Sequence, residues 1–180
     1  MNINETHPKN AFHFCPYCGS ENFIWDNEKA HQCKKCSKKL YTNEIGAVIA
    51  VIFNPKGELL LTRRAFEPAK GKLDLPGGFI DLGESAEEAV CREVKEELNL
   101  NISELQFFGT FPNQYPYGGL TYFTIDIVFV CKVTDFDQIC PKDDVENYLF
   151  CLPQSIDIEE VGLLSVKTLI SRLKSENFHL

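Results

Sequence analysis

Residues 78–100 read GFIDLGESAEEAVCREVKEELNL, and the spacing of charge along them decides the fold. Ser85 followed by Glu88 three positions later is a capping-box pattern, so a helix begins after Ser85. Asn99 stands where a left-handed residue closes a helix, and Asn tolerates that conformation. The pattern predicts a helix over 86–98. At about 100° per residue, Ala86, Ala89, Val90, Val94 and Leu98 form one broad apolar face. Glu93 and Glu97 fall inside the same arc, and Glu96 lies just beyond its edge.

Two explanations compete for these acids. A solvated charged face accounts for Glu87 and Glu88. It accounts poorly for Glu93 and Glu97, which share a face with core residues. A carboxylate at the margin of a core needs a partner, and either a cation or Arg92 can supply one. Close carboxylate pairs repel by about 1 kcal/mol in water and by several times that near a protein surface. Acids concentrated in this way point to a bound divalent cation.

Outward from the helix the chain reads as alternating strands and turns. Ile45–Phe53 is a continuous apolar run, expected as a buried strand. Asn54-Pro55-Lys56-Gly57 is a turn, and Glu58–Arg63 a second strand. Leu73-Asp74-Leu75-Pro76-Gly77-Gly78 leads towards the helix. Leu105–Phe111, Thr121–Val133 and Val145–Leu152 are further strands, and Leu163–Lys174 is an amphipathic terminal helix. Residues 111–119, FPNQYPYGG, read as a long aromatic loop. The expected architecture is α/β, a mixed sheet sandwiched between helices.

Cys15-Pro-Tyr-Cys18 and Cys33-Lys-Lys-Cys36 form two CxxC pairs with fourteen residues between them. Two such knuckles complete a tetrahedral Zn2+ site, although the separation is slightly shorter than usual. A segment of about 40 residues cannot bury enough core to fold unaided, and structural zinc contributes roughly 10–16 kcal/mol in such peptides. Disulfides or a redox role are the alternative. Cys91, Cys131, Cys140 and Cys151 have no partner spacing and read as core thiols.

The 180 residues suffice for one well-packed domain and a small appendage, and the net charge is −8. Residues 1–42 carry six Lys and four acids, whereas 43–180 carry twelve basic and twenty-two acidic side chains. The field of the larger part does not attract nucleic acid. The N-terminus has no apolar core for a signal peptide, and Ile45–Phe53 is too short to span a membrane. A cytoplasmic protein without a membrane partner is expected.

Gly78, Glu84, the run Arg92-Glu93-Val94-Lys95-Glu96-Glu97 and Leu98-Asn99-Leu100 together resemble the Nudix box of the Nudix hydrolase superfamily. Asn99 replaces the family's late glycine. The resemblance covers about 43–176. It implies a Nudix α/β/α sandwich with a mixed sheet, preceded by a small zinc ribbon, with 1–42 the ribbon and 43–180 the Nudix hydrolase domain. It also implies Mg2+ (or Mn2+) dependence and cleavage of the pyrophosphate bond of a nucleoside diphosphate derivative. A ribbon ahead of a Nudix domain is similar to the NADH pyrophosphatase type, and ADP-ribose is an equal candidate.

By the same resemblance Glu93, Glu96 and Glu97 are metal ligands, joined by the Gly77 carbonyl. Arg92 orients them, and Glu84 pairs with Arg92 or reaches metal through water. Asp143, Asp144 and Glu146 lie where many relatives place an extra acid, or form a solvated loop. Arg63 and Arg64 are phosphate contacts or a charged strand end. Tyr115 and Tyr117 stack on a base or ribose, or stiffen their own loop. Homodimers are common in the family. The alternative function is a nucleic-acid-binding or RNA-cap-processing zinc-ribbon protein on a Nudix scaffold, suggested by Lys34, Lys35, Lys38 and Lys39 beside a knuckle.

Overall fold

The structure is a computed structural model that describes residues 3–175. Residues 176–180, the end of the expected second domain, lie outside the described residues. The chain divides into two compact units. One comprises Met1–Glu44 with Gln114–Phe123, the other Ile45–Asn113 with Thr124–Leu180. Among the described residues no helix is long and apolar enough to cross a membrane.

The first unit begins with two single turns of helix, α1 (Ile3–Thr6) and α2 (Pro8–Ala11). His7 caps the second, its Nδ1 accepting the Lys9 N–H at 3.0 Å. An antiparallel meander follows, of β1 (Phe23–Trp25), β2 (Ala30–Cys33) and β3 (Lys39–Tyr41). Its core is small: Cys15, Phe23 and Cys33, with Phe12, Cys36 and Leu40 around them. His31 is fully buried, stacked on Phe23 at 4.9 Å and edge-on to Phe12 and Trp25. Residues 114–123 join this unit through a hydrogen bond between the Thr6 and Thr121 hydroxyls, 2.6 Å, and through His7 against Phe123.

The second unit carries β4 (Ile45–Ile52), β5 (Leu59–Arg64), β6 (Leu73–Asp74), α3 (Ala86–Leu98), most of β7 (Glu104–Tyr117) and β8 (Leu120–Lys132), β9 (Val145–Cys151) and α4 (Leu164–Ser175). β4 runs parallel to β8, and β7 lies on the far side of β8. β5 runs antiparallel to both β6 and β9. The turn at 54–57 closes as expected, with the Gly57 N–H on the Asn54 carbonyl at 2.9 Å.

β4 shows why its sequence is continuously apolar. Successive side chains of a strand point to opposite faces. Ile49 and Val51 join the cluster that holds Val166, Leu169, Ile170 and Leu173 of α4. Val48, Ala50 and Ile52 join the cluster that holds Ala89, Val90, Val94 and Leu98 of α3. A strand buried on both faces leaves no position for a polar residue. The result is the expected mixed α/β sandwich, a helix on each side of the sheet.

α3 forms where its caps dictate. Ser85 Oγ accepts the Glu88 N–H at 3.2 Å, and Glu88 accepts the Ser85 N–H at 2.9 Å. Asn99 takes φ 57°, and its N–H reaches the Lys95 carbonyl at 3.0 Å. The aromatic stretch is a correction. Residues 111–117 are not loop but the second half of β7, and the turn is Gly118-Gly119, both at positive φ. Pro112 and Pro116, four apart, fall on the same side of the strand. On an edge strand the outward side has no ladder bond to lose, so prolines are tolerated there.

Candidate active site and cysteine centre

The segment after β6 meets two of the acids, Glu93 and Glu97. The Pro76 and Gly78 carbonyls accept the Ala50 and Val48 N–H groups at 2.8 Å each, so the segment runs beside β4. The Gly77 carbonyl, between them, takes no part in that pairing. Gly77 has φ 151°, and a Cβ there would lie 2.0 Å from the Val48 carbonyl oxygen. Backbone cannot yield to such a contact. Gly77→Ala is therefore expected to cost about 3 kcal/mol or more, at the upper end for single substitutions, measured by denaturant unfolding. A Cβ on Gly78 would meet the Glu93 carboxylate at 2.5 Å, so the neighbouring glycine leaves room for that acid.

Glu97, on the buried side of α3, is only 4% exposed. Its Oε2 accepts the Gly77 N–H at 3.1 Å. Burial holds its pKa well above the usual carboxylate value. The facing Asp144 carboxyl and the Glu93 charge add to the rise, and the Gly77 N–H only partly opposes it. Burial also raises Glu93. Arg92 opposes that shift, while Glu96 and Asp144 reinforce it.

Arg92 organises the other side of the cluster. Its Nε and Nη2 take both oxygens of Glu84 at 2.9 Å, a bidentate pair. Its Nη1 donates to Glu93 at 2.8 Å and to Glu96 at 3.1 Å, and Nη2 also reaches the Phe79 carbonyl at 3.0 Å. The Arg92 hydrogen bond and the Asp81 N–H hold the Glu84 carboxyl below its usual range. Glu96 is half exposed.

Thr62, Arg64, Asp74, Gly77, Glu97 and Asp144 line a cleft of about 10 Å³, room for roughly one water-sized guest. Oxygen donors from buried carboxylates that repel one another are the donor set a hard divalent cation takes.

A profile of the NUDIX domain matches residues 44–173. The chain belongs to the Nudix hydrolase family. It is similar to the NAD-capped RNA hydrolase NudC of Vibrio atlanticus, 31% identical over 137 residues, which are 76% of this chain and 50% of that protein. NudC of Yersinia pestis is 32% identical over 113 residues, 63% of this chain and 43% of that one. The chain thus spans about half the length of the curated relatives it matches. Among solved structures, the NUDIX domain of Shewanella oneidensis NrtR complexed with ADP ribose has a TM-score of 0.62 at 19% identity, covering 77% of this chain and 91% of that one. That likeness establishes the Nudix fold.

Within the Nudix domain the acids chosen from sequence lie on one helix, with Arg92 and Glu84 joined to them. Of the three later acids, Asp144 is the one turned towards Glu93 and Glu97, whereas Asp143 and Glu146 are exposed. Arg63 and Arg64 are both engaged locally. Arg63 Nη1 donates to the Gly71 carbonyl, and Arg64 pairs with Asp74 and the Pro68 carbonyl at 2.7 Å each. Tyr115 and Tyr117 stand on β7 with ring centroids 6.4 Å apart, Tyr117 largely exposed. Asp74 was missed from sequence. Its signal was an acid inside the apolar run Leu73-Asp74-Leu75-Pro76, the same argument that singled out Glu97.

Outside the Nudix domain, Cys15, Cys18, Cys33 and Cys36 bring their sulfurs within 4.8 Å of one another. Cys15 to Cys36 and Cys18 to Cys33 are each 3.7 Å. A tetrahedral ion with bonds of about 2.3 Å sets its sulfurs about 3.8 Å apart, so the cluster fits a four-coordinate metal. Both knuckles make the same turn. The Gly19 N–H reaches the Cys15 carbonyl at 2.8 Å and the Ser37 N–H reaches the Cys33 carbonyl at 2.9 Å, with Gly19 and Ser37 at positive φ. The Cys36 backbone N–H lowers the Cys33 thiol to about 6, while burial and the neighbouring sulfurs push the Cys18 thiol up to about 11.

Proposed function

We propose that the chain is a Mg2+- or Mn2+-dependent hydrolase that cleaves the pyrophosphate bond of a nucleoside diphosphate joined to a second group, with ADP-ribose and NADH as the leading candidates. One observation carries this reading: the buried Glu97 faces Asp144 in a cleft with room for roughly one water-sized guest, and the Glu93 charge lies close enough to raise it further. Glu93, Glu96, Glu97 and the Gly77 carbonyl hold the ion, and Arg92 fixes Glu93 and Glu96 in place. When bound, the cation neutralises the diphosphate and acidifies a water. Asp144 or one of the three glutamates takes the proton of the attacking water. The water oxygen bonds to phosphorus in line, and the bridging oxygen leaves with the other phosphate. The four cysteines hold Zn2+, and with no open position that ion is structural.

Product analysis with ADP-ribose, NADH, NAD, nucleoside triphosphates and dinucleoside polyphosphates, each with Mg2+, tests the reading. Clean release of two monophosphates from ADP-ribose or from one of the dinucleotides supports it. Turnover of none of them with Mg2+ or Mn2+ counts against it.

The raised carboxyl pKa values give a second test. A carboxyl whose folded-state pKa lies above its unfolded value contributes stability that is complete below the unfolded value, near 4.5. That contribution is lost as pH rises through the folded pKa. The ion-free protein should therefore lose stability on going from pH 5 to pH 8, and Mg2+ should raise Tm more at pH 8 than at pH 5. Thermal unfolding at the two pH values with and without Mg2+ measures this.

A second reading is supported by the relatives named as NAD-capped RNA hydrolases. Lys34, Lys35, Lys38 and Lys39 are all exposed on the second knuckle, and Lys38 lies over the Tyr17 ring at 4.7 Å. An RNA body bound there would weaken steeply as salt rises. Cleavage of NAD-capped RNA that is no more salt-sensitive than cleavage of free NAD would contradict it.

A further inference from the structure

We propose that Arg64 is a positioning residue that holds the two sides of the acid cluster in register. The proposal rests on the metal-dependent reading above and adds to it a role for a residue outside the ligand set named there.

Glu97 meets the rest of the cluster on two sides. Gly77 comes from the segment that continues β6, and Asp144 comes from the loop before β9. β5 lies between β6 and β9, and Arg64 is its last residue. The β5–β9 register shifts between Arg63 and Arg64, where the pairing passes from Asn147 to Val145. Such bulges re-aim a side chain.

From that position the Arg64 side chain reaches the Gly77 side, and the backbone of the next residue reaches the Asp144 side. Towards Gly77, its Nη1 holds Asp74 Oδ2 at 2.7 Å, and Asp74 Oδ1 accepts the Leu75 N–H at 2.9 Å, at the start of the segment that carries Gly77. Towards Asp144, the next residue, Ala65, donates its N–H to the Asp144 carbonyl at 2.7 Å. Between the two, Arg64 closes the 65–72 loop. Its Nε donates to the Pro68 carbonyl at 2.7 Å, its N–H to Lys72 at 3.0 Å, and its carbonyl accepts the Gly71 N–H at 2.8 Å. The Arg64 and Asp74 side chains are 11% and 7% exposed, and both line the cleft with Glu97 and Asp144.

Stability alone is a weak reason for such a pair. Apolar residues of similar volume often replace a buried ion pair at no cost. The planar fork of arginine offers what an apolar pair does not, two acceptors fixed at a set angle. Those acceptors belong to the loop and to the strand leading into Gly77.

Arg64→Lys tests this. Lysine keeps the charge but cannot reproduce the fork. Partners outside the ligand shell are typically worth 10–100-fold, so Mn2+ affinity of the substrate-free protein, read from the EPR signal of free Mn2+, is expected to weaken about tenfold. With ADP-ribose or NADH as probe, kcat should fall by about the same factor while KM stays within about twofold, the pattern of a lost positioning contact. Unchanged Mn2+ affinity and kcat in Arg64→Lys overturn the proposal alone. A raised KM with unchanged kcat also overturns it, and makes Arg64 a phosphate contact. Wild-type protein that binds no Mn2+ overturns the metal reading and this proposal with it. Should Arg64→Lys fail to fold, Asp74→Asn removes the same charge pair from the other side. It is held to the same two measurements, with the same outcomes for and against.

Discussion

Glu97→Gln is expected to abolish turnover while leaving the protein folded and, without metal, more stable than the wild type. Both effects come from one fact. Glu97 is a carboxylate buried beside two other acids, with the Gly77 N–H as its hydrogen-bond donor. Gln keeps the shape and an oxygen to accept that N–H, and removes the charge that burial and Asp144 disfavour. The same charge is what a divalent cation needs. Loss of groups outside the ligand shell costs 10–100-fold, so loss of a direct ligand should cost at least about 100-fold in kcat. Thermal unfolding at pH 8 without metal should show a higher Tm for Glu97→Gln. Turnover close to wild type would place the metal elsewhere.

Cys15→Ser should have the second large effect, on the other unit. Structural zinc contributes about 10–16 kcal/mol in small zinc-bound peptides. The apolar cluster of the first unit has only three buried members, two of them Cys15 and Cys33. Elemental analysis should find about one Zn2+ per chain in the wild type, from four thiolates filling one tetrahedral site. Cys15→Ser should lose it, and residues 12–42 should become the first point of proteolytic cleavage. The acid cluster lies in the other unit, so turnover should survive better than in Glu97→Gln. A variant that retains Zn2+ and protease resistance would show that the ribbon does not depend on Cys15.

The two units differed in how far they could be read from sequence. α3 was legible to the residue, because Ser85, Glu88 and Asn99 act through bonds within four positions. β4 was legible because burial on both faces leaves only apolar residues. The burial of Glu97 followed from helical periodicity alone. What was not legible depends on distant partners. The second half of β7 carries two prolines and looks like loop until its edge position is known. Residues 114–123 join the first unit through Thr121 and Phe123, which no local pattern marks. Asp144 and Asp143 are neighbours of one type, and only the backbone turn at Asp143, φ 54°, separates the acid that faces Glu97 from the one in solvent. Asp74 was within reach, since an acid flanked by buried leucines needs a partner, but naming Arg64 as that partner required the fold.

The most direct test of the central claim is a Mg2+ titration. Protein stripped with a chelator is assayed for ADP-ribose and NADH cleavage as Mg2+ is returned, with Glu97→Gln alongside. The acid cluster predicts no turnover without metal, saturable recovery with Mg2+ in the wild type, and no recovery in Glu97→Gln over the same range. Turnover that persists without metal, or that returns fully in Glu97→Gln, would contradict it.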